Sequence, residues 1–201
     1  MPQLVLVRHG ESTANLANIF TGWLDVPLSP TGEAEAQAVA DKLRSFRFDV
    51  AFSSTLVRAK RTLEIILTSI GQNQIPVFQA EALRERMYGD LQGLNKAETV
   101  LKYGQVQVDT WRRSYDVAPP GGESLHQTQD RAVPYYEAEL APRLRAGQNL
   151  LVVSHGNTLR GLRMYLEFLT PLQVETLEIV TGGVREYQFD VQLTILEMHN
   201  L

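Results

Sequence analysis

Three short apolar runs, separated by longer stretches of helical character, most constrain how this chain can fold. They cover residues 4–7, 50–52 and 150–153. Strands that are apolar on both faces are typical of a sheet covered by helices on its two sides. The alternation of strands and helices along the chain therefore predicts an α/β domain of three layers, with a mainly parallel central sheet flanked by helices.

Local signals place the first two long helices between these runs. Ser29 followed by Pro30 predicts an N-cap and the first position of a helix that continues to Leu43. A second helix is predicted over residues 56–70, because Gly71 stands where a glycine commonly terminates a helix. Both helices are long enough to cover one face of the sheet.

The second half of the chain carries weaker signals. A third helix is predicted over residues 123–144, with Pro134 expected to kink or split it. A fourth helix is predicted over residues 157–169, and a closing pair of strands over 184–196. Residues 104–122 are predicted to form an irregular loop beside the site.

Composition narrows the classes of function. The 201 residues suit a single domain over 1–201, and 44% hydrophobic and 21% charged residues are ordinary for a globular protein. A net charge of −4 does not favour binding to nucleic acid or to an anionic membrane. The absence of cysteine excludes thiolate catalysis and disulfides. With no basic leader and no membrane-spanning run, a cytoplasmic location is expected.

The strongest motif is Arg8-His9-Gly10-Glu11, directly after the first predicted strand. In parallel sheets, ligands bind beyond the carboxyl ends of the strands, so the imidazole of His9 can point into a ligand crevice. Neutral imidazole is a competent nucleophile near pH 7. Arg8 offers a planar set of donors that matches phosphate, and Gly10 lacks the Cβ that would obstruct a close approach. A helix starting near Glu11 would also turn its free N–H groups towards an anion.

A second histidine, His155, also follows a predicted strand and precedes a glycine, Gly156. A lone histidine of this kind is more often a buried, hydrogen-bonded core residue. Two such histidines at neighbouring strand ends favour a different interpretation. One attacks a phosphoryl group, and the other donates hydrogen bonds to its oxygens in the transition state.

Two further residues fit the same chemistry. Arg58 follows the strand at residues 50–52 and opens a helix, so it is a candidate third phosphate ligand, although a solvated helix arginine is equally common. Glu85 lies between Arg84 and Arg86, and it is a candidate proton shuttle. The charge pattern alone favours a surface ion pair for Glu85.

Together these segments resemble the histidine phosphatase superfamily, whose signature is Arg-His-Gly at 8–10 with Ser-His-Gly at 154–156. Within it, the chain closely resembles the cofactor-dependent phosphoglycerate mutases over almost its whole length. The discriminating stretches are Phe-Thr-Gly-Trp at 20–23, Glu-Arg-Met-Tyr-Gly at 85–89, Gly-Leu-Asn-Lys-Ala-Glu at 93–98 and Trp-Arg-Arg at 111–113.

The resemblance implies roles for these residues. His9 becomes phosphohistidine, Glu85 gives and takes the proton, and His155 stabilises the transition state. The resemblance also implies 2,3-bisphosphoglycerate as the priming phosphoryl donor, a small phosphorylated substrate and no metal. The residues expected to bind substrate are Arg8, Gly10, Glu11, Ser12, Asn15, Thr21, Gly22, Arg58, Glu85, Arg86, Tyr88, Lys96, Arg112, Arg113, Gly156 and Asn157.

Alternatives remain open at this point. A phosphatase on the same fold would use water as the only acceptor, and an inactive binding module would not need His9, Glu85 and His155 together. Longer family members carry an insert after Pro120 and a tail beyond the last strand. Because the tail is expected to exclude water, we expect phospho-His9 to hydrolyse faster in this chain than in the longer members. Because the insert can contribute subunit contacts, a homo-oligomer is possible but not predicted. No role is assigned to His126 or His199.

Overall fold

A computed structural model describes all residues, 1–201. Its six strands form one sheet in the order β3-β2-β4-β1-β5-β6. β5 runs antiparallel to β1 and β6, and the other strands share one direction. The strands are β1 (Gln3–Arg8), β2 (Val50–Ser54), β3 (Val77–Ala80), β4 (Leu150–Ser154), β5 (Val184–Phe189) and β6 (Ile195–Asn200). The predicted three-layer α/β fold with a mainly parallel sheet is confirmed.

Helices cover both faces of this sheet. The α-helices are α1 (Thr13–Leu16), α2 (Pro30–Lys42), α3 (Val57–Ser69), α4 (Lys96–Tyr103), α5 (Gln105–Arg113), α6 (Leu125–Tyr135), α7 (Ala141–Arg145), α8 (Gly156–Leu166) and α9 (Pro171–Thr176). None of them is both long and apolar enough to cross a membrane.

The apolar strands at the centre explain why the sheet has a core on each side. Successive side chains of β1 alternate, so that Leu4 and Leu6 join one buried cluster while Val5 and Val7 join the other. β4 divides in the same way between the two clusters. A strand that is buried on both faces tolerates almost no displacement, so the residues at its carboxyl end are held in place.

The predicted boundaries of the first two long helices are confirmed. Ser29 caps α2 by accepting a hydrogen bond from the backbone N–H of Gly32 at 3.1 Å, and Pro30 is the first helical residue. α3 ends just before Gly71, whose φ of +69° lies in the left-handed region that glycine adopts without strain.

The helix predicted over residues 123–144 is split, as Pro134 suggested. α6 ends at Tyr135, a π-helical turn covers Tyr136–Leu140, and α7 follows. Proline removes one backbone donor and its ring pushes against the preceding turn, which favours such a local widening of the helix.

Three boundary predictions were wrong. Residues 104–122 are not irregular throughout, because α5 occupies Gln105–Arg113 and buries Val108 and Trp111. The fourth helix, α8, ends at Leu166 rather than at residue 169. The last strand, β6, continues to Asn200. In α5 the burial depends on packing against Phe20 and Leu91, which are distant in sequence.

Candidate active site

Two histidines meet at the carboxyl ends of the central strands. His9 follows β1 and His155 follows β4, and these neighbouring strands align Arg8 with Ser154. The backbone N–H of His9 donates to the carbonyl of Ser154 at 3.0 Å. The two imidazole rings lie 4.8 Å apart, centroid to centroid, at 60° to each other. The sheet thus fixes both rings at one end of the fold.

His9 is held as a neutral base with a defined tautomer. Its Nδ1 lies 2.6 Å from the carbonyl oxygen of Gly10, and a carbonyl can only accept, so Nδ1 carries the proton. Burial lowers the pKa of His9 well below its usual value, and the charges of Arg58 and Arg8 lower it further. The lone pair on Nε2 is therefore available for attack on phosphorus.

His155 is buried just as deeply. Its Nε2 lies 2.6 Å from the Oγ of Ser54, at the end of β2, and its Nδ1 has no hydrogen-bond partner. Burial lowers the pKa of His155 well below its usual value, and the charge of Arg58 lowers it further. An unpartnered nitrogen in a buried ring is costly unless a ligand supplies the missing contact.

Two arginines flank the histidines, of which Arg58 is buried and Arg8 is half-buried. Arg58, near the start of α3, is 1% exposed and donates to the carbonyls of Leu24 (2.9 Å) and Gly22 (2.8 Å). Burial lowers the pKa of Arg58 to about 10, so it remains charged at neutral pH. Arg8 donates from Nη1 to the carbonyl of Ile179 at 2.5 Å, while its Nε has no partner. Both cations are thus held in place by backbone carbonyls.

Glu85 is not a surface ion pair, contrary to what its charge pattern favours. It is 8% exposed, and one carboxylate oxygen accepts from the backbone N–H groups of Arg86 (2.8 Å) and Asn157 (3.1 Å). Its own carbonyl accepts from Nε1 of Trp23 (2.6 Å) and Nη2 of Arg131 (2.8 Å). The carboxylate is consequently fixed beside the cavity at the end of β4.

A second group of cations lines the same cavity. Lys96 is the first residue of α4, and Arg112 and Arg113 are the last two residues of α5. Burial lowers the pKa of Lys96, and the charge of Arg112 acts in the same direction. Arg113 forms an ion pair with Glu178. These cations can hold an anionic group separate from the one held by the histidines.

Most of the predicted residues line this single cavity. The lining includes Arg8, His9, Asn15, Thr21, Gly22, Arg58, Glu85, Tyr88, Lys96, Arg112, Arg113, Gly156 and Asn157. Five predicted residues do not line it: Gly10, Glu11, Ser12, Arg86 and His155. His155 still reaches the site through its contact with the His9 ring.

The residues after His9 have structural contacts. A Cβ on Gly10 would lie 2.1 Å from the carbonyl oxygen of Gly32, so only glycine lets α2 pack this closely. Glu11 accepts a hydrogen bond from the hydroxyl of Ser29 at 2.6 Å. Ser12 caps α1, which starts at Thr13, two residues later than Glu11. Any contact of these residues with a substrate remains a prediction.

Arg86 lies behind the cavity wall. It is fully buried, donates from Nη2 to the hydroxyl of Tyr88 (3.1 Å) and to the carbonyl of Arg112 (2.7 Å), and stacks on the Tyr88 ring at 4.7 Å. Arg86 therefore links the end of α5 to the loop that contains Glu85.

Sequence reasoning missed Arg160 and the segment 177–179, which also line the cavity. Arg160 is 5% exposed, donates to the side chain of Asn157 at 3.0 Å and also bonds the carbonyls of Val174 and Glu175. Its position three residues after Asn157 on α8 puts the two on one helix face, which the sequence could have indicated. The segment 177–179 carries no such local signal.

The structure contains no cluster of three or more His, Cys, Asp or Glu residues arranged to hold a metal ion. The positive charge of the cavity comes from arginine and lysine side chains alone.

Comparison with known proteins gives the family of this chain. The family model of the histidine phosphatase superfamily (branch 1) matches residues 4–201. A 2,3-bisphosphoglycerate-dependent phosphoglycerate mutase of Cytophaga hutchinsonii is 52% identical over 97% of this chain and 91% of its own length.

Solved structures have the same fold. Bacillus stearothermophilus YhfR superposes with a TM-score of 0.85 at 27% identity, covering 97% of this chain and 94% of its own. A mycobacterial glucosyl-3-phosphoglycerate phosphatase superposes with a TM-score of 0.84 at 25% identity, covering 100% and 97%. With its two strand-end histidines and buried arginines, the chain belongs to branch 1 of the histidine phosphatase superfamily.

Proposed function

We propose that this chain is a 2,3-bisphosphoglycerate-dependent phosphoglycerate mutase. It interconverts 3-phosphoglycerate and 2-phosphoglycerate through a phosphohistidine at His9. The observation that carries the proposal is the second group of cations, Lys96, Arg112 and Arg113, which lines the same cavity as His9. Phosphoglycerates carry a carboxylate besides the phosphate, and this group supplies its counter-charge. Relatives near 50% identity that have this name support the same activity.

Two buried groups beside the cavity fit a phosphorylated ligand. Arg8 Nε and His155 Nδ1 are buried without a partner, and phosphoryl oxygens are acceptors that would satisfy both. Lys96, Arg112 and Arg113 would hold the far anionic groups. When bound, 2,3-bisphosphoglycerate supplies the phosphoryl group that primes His9.

The transfer step follows from the fixed tautomer of His9. Nε2 attacks the phosphorus of a phosphate ester, the N–P bond forms, and the bond from phosphorus to the ester oxygen breaks. Arg8, Arg58 and His155 stabilise the charge that spreads over the three equatorial oxygens. Because these donors are already oriented by the protein, little reorganisation is needed when the charge develops.

Glu85 is proposed to act as the general acid and the general base. Its carboxyl group gives a proton to the leaving oxygen as the N–P bond forms. In the reverse step the carboxylate takes a proton from the accepting hydroxyl, which then attacks phosphorus and releases His9. The hydrogen bonds from Arg86 and Asn157 occupy one carboxylate oxygen and leave the other for this exchange.

The remaining residues are proposed to orient the substrate so that either hydroxyl can meet phospho-His9. These residues are Gly10, Glu11, Ser12, Asn15, Thr21, Gly22, Arg86, Tyr88, Gly156 and Asn157. The substrate is a small phosphorylated acid rather than a nucleic acid, consistent with the net charge of −4. We also propose a cytoplasmic location, as expected for an enzyme of glycolysis and gluconeogenesis.

The second candidate is a phosphatase that transfers the phosphoryl group of phospho-His9 to water. It is favoured by the similarity to the mycobacterial phosphatase structure. A coupled assay on 3-phosphoglycerate, with and without 2,3-bisphosphoglycerate, separates the two when 2-phosphoglycerate and free phosphate are read together. Bisphosphate-stimulated 2-phosphoglycerate with little free phosphate supports the mutase. Free phosphate without isomerisation overturns the mutase and supports the phosphatase.

The proposed binding site for the substrate's carboxylate is tested separately by substituting two lysines of α4. Lys96 lines the cavity, whereas Lys102 is exposed on the same helix. Lys96→Met removes a charge-assisted contact, so we expect KM for 3-phosphoglycerate to rise about ten- to a hundredfold. Lys102→Met is the matched control and should leave KM unchanged. An equal KM in both variants would remove Lys96 from the proposed carboxylate site.

A further inference from the structure

We propose that Ser54 is a positioning residue, whose hydroxyl keeps the proton of His155 on Nδ1. His155 then presents an N–H group, rather than a lone pair, to the phosphoryl group. This inference rests on the proposed phosphohistidine at His9. It adds a residue of β2 to the histidines that follow β1 and β4.

The order of strands puts the three side chains in a row. β4 lies between β2 and β1, so the ring of His155 lies between Ser54 on one side and His9 on the other. The Oγ of Ser54 is 2.6 Å from Nε2 of His155, and the His9 ring is 4.8 Å from the His155 ring. Nε2 is thus occupied, and Nδ1 is the one ring nitrogen left for the transferred group.

The hydroxyl of Ser54 is the donor, and not the acceptor, in its hydrogen bond with His155. The Oγ already accepts from the backbone N–H of Leu56 at 3.3 Å, and its proton has no acceptor other than His155 Nε2. If Nε2 were the donor instead, the buried hydroxyl proton of Ser54 would have no partner. The donating hydroxyl satisfies both groups, so Nε2 is the acceptor and the ring proton lies on Nδ1.

The two histidines therefore have opposite assignments. Gly10 holds the proton of His9 on Nδ1 and leaves a lone pair on Nε2, as a nucleophile requires. Ser54 occupies Nε2 of His155 and leaves an N–H on Nδ1, as a donor to phosphoryl oxygens requires. The choice of tautomer matters because the pKa of each ring is lowered, which keeps both rings neutral. A charged imidazole would donate from both nitrogens without help.

Removing the Ser54 hydroxyl should release this constraint. In Ser54→Ala, His155 can move its proton to Nε2, and Nδ1 then turns a lone pair towards an anionic group. Because the great majority of the molecules then lack a preoriented donor to the transition state, we expect phosphorylation of His9 to slow about ten- to a hundredfold. Ser54 is fully buried and alanine is smaller, so the fold should accept the change.

The neighbouring serine offers a matched control. Ser53 is also fully buried in β2, and its hydroxyl donates to the carbonyl of Ser54 at 3.0 Å without contacting His155. Ser53→Ala thus removes one buried hydroxyl from the same strand. A merely structural effect would appear in both variants.

The experiment combines ¹⁵N NMR of histidine-labelled protein near pH 7.5, which reads the tautomer without substrate, with the rate of phosphoenzyme formation from labelled 2,3-bisphosphoglycerate. We expect His155 to carry its proton on Nδ1 in the wild type and in Ser53→Ala. We expect signal from the Nε2–H form, and slower labelling, in Ser54→Ala alone.

Three results would overturn the proposal. They are an Nε2–H tautomer of His155 in the wild type, an unchanged tautomer and rate in Ser54→Ala, and equal slowing in both serine variants. A wild type that takes up no label would refute the proposed phosphohistidine instead. The tautomer, read without substrate, would still decide whether Ser54 fixes the proton.

Discussion

Acidification should destabilise this protein because His9 and His155 are held neutral in its interior. The pKa of each ring lies well below its usual value, mainly through burial. In the unfolded chain both rings titrate near pH 6.5. Below that pH, the unfolded state binds protons that the folded state does not accept, so the free energy of unfolding falls as the pH falls.

The size of the effect follows from proton linkage. Each histidine contributes a slope of at most about 1.4 kcal/mol per pH unit, and the two together about 2.7 kcal/mol per pH unit. The contribution is fully present above pH 6.5 and is lost progressively until the pH reaches the folded-state pKa values. Such a slope is a large part of the 5–15 kcal/mol that is usual for the total stability of a domain.

Urea unfolding at pH values from 7.5 to 5.0, followed by fluorescence of Trp23 and Trp111, measures this slope. The scan stops at pH 5, above the pKa values of carboxyl groups in the unfolded chain. His9→Asn should reduce the slope by about 1.4 kcal/mol per pH unit. His199→Asn is the control, because it removes a histidine that is exposed on β6 rather than buried.

Equal slopes in the wild type and in His9→Asn would refute the reasoning. They would mean that His9 takes up a proton in the folded protein as easily as in the unfolded chain. Its Nε2 would then not be held ready as a neutral nucleophile.

Steady-state kinetics test two other residues. Glu85→Gln should lower kcat at least about a hundredfold with KM nearly unchanged, because it removes the proton shuttle and keeps the shape; unchanged turnover would exclude Glu85 from the mechanism. Glu178→Gln should lower KM for 3-phosphoglycerate severalfold, because Glu178 pairs with Arg113 and competes with the substrate anion. An unchanged KM would mean that this ion pair does not compete with substrate.

The central fold was predictable because its signals are local. Residues 4–7 and 150–153 are apolar at every position, which suits only strands covered on both faces. A histidine directly after each of these strands then has to lie at the same edge of a parallel sheet. The structure shows in addition that β1 pairs with β4, which brings His9 beside His155.

Other features depend on contacts between distant parts of the chain. α5 was missed because polar residues surround Val108 and Trp111, and their burial needs Phe20 and Leu91. The segment 177–179 meets the site through the bond from Arg8 to the carbonyl of Ile179. No pattern within the segment could have indicated that contact.

Glu85 shows the limit of reasoning from charge pattern. Its arginine neighbours favour a surface pair, yet both turn away from it. Arg84 bonds Thr55 and Glu81, and Arg86 is buried against Tyr88. The carboxylate is held by backbone N–H groups, which the sequence does not reveal.

The most direct test of the account is whether His9 carries the transferred phosphoryl group. Purified protein is mixed with labelled 2,3-bisphosphoglycerate, quenched in alkali, and examined for acid-labile phosphoprotein, with the labelled residue mapped by mass spectrometry. The account predicts close to one phosphoryl group per chain on His9 and none in His9→Ala. Full labelling of His9→Ala, or label on another residue of the wild type, would contradict it.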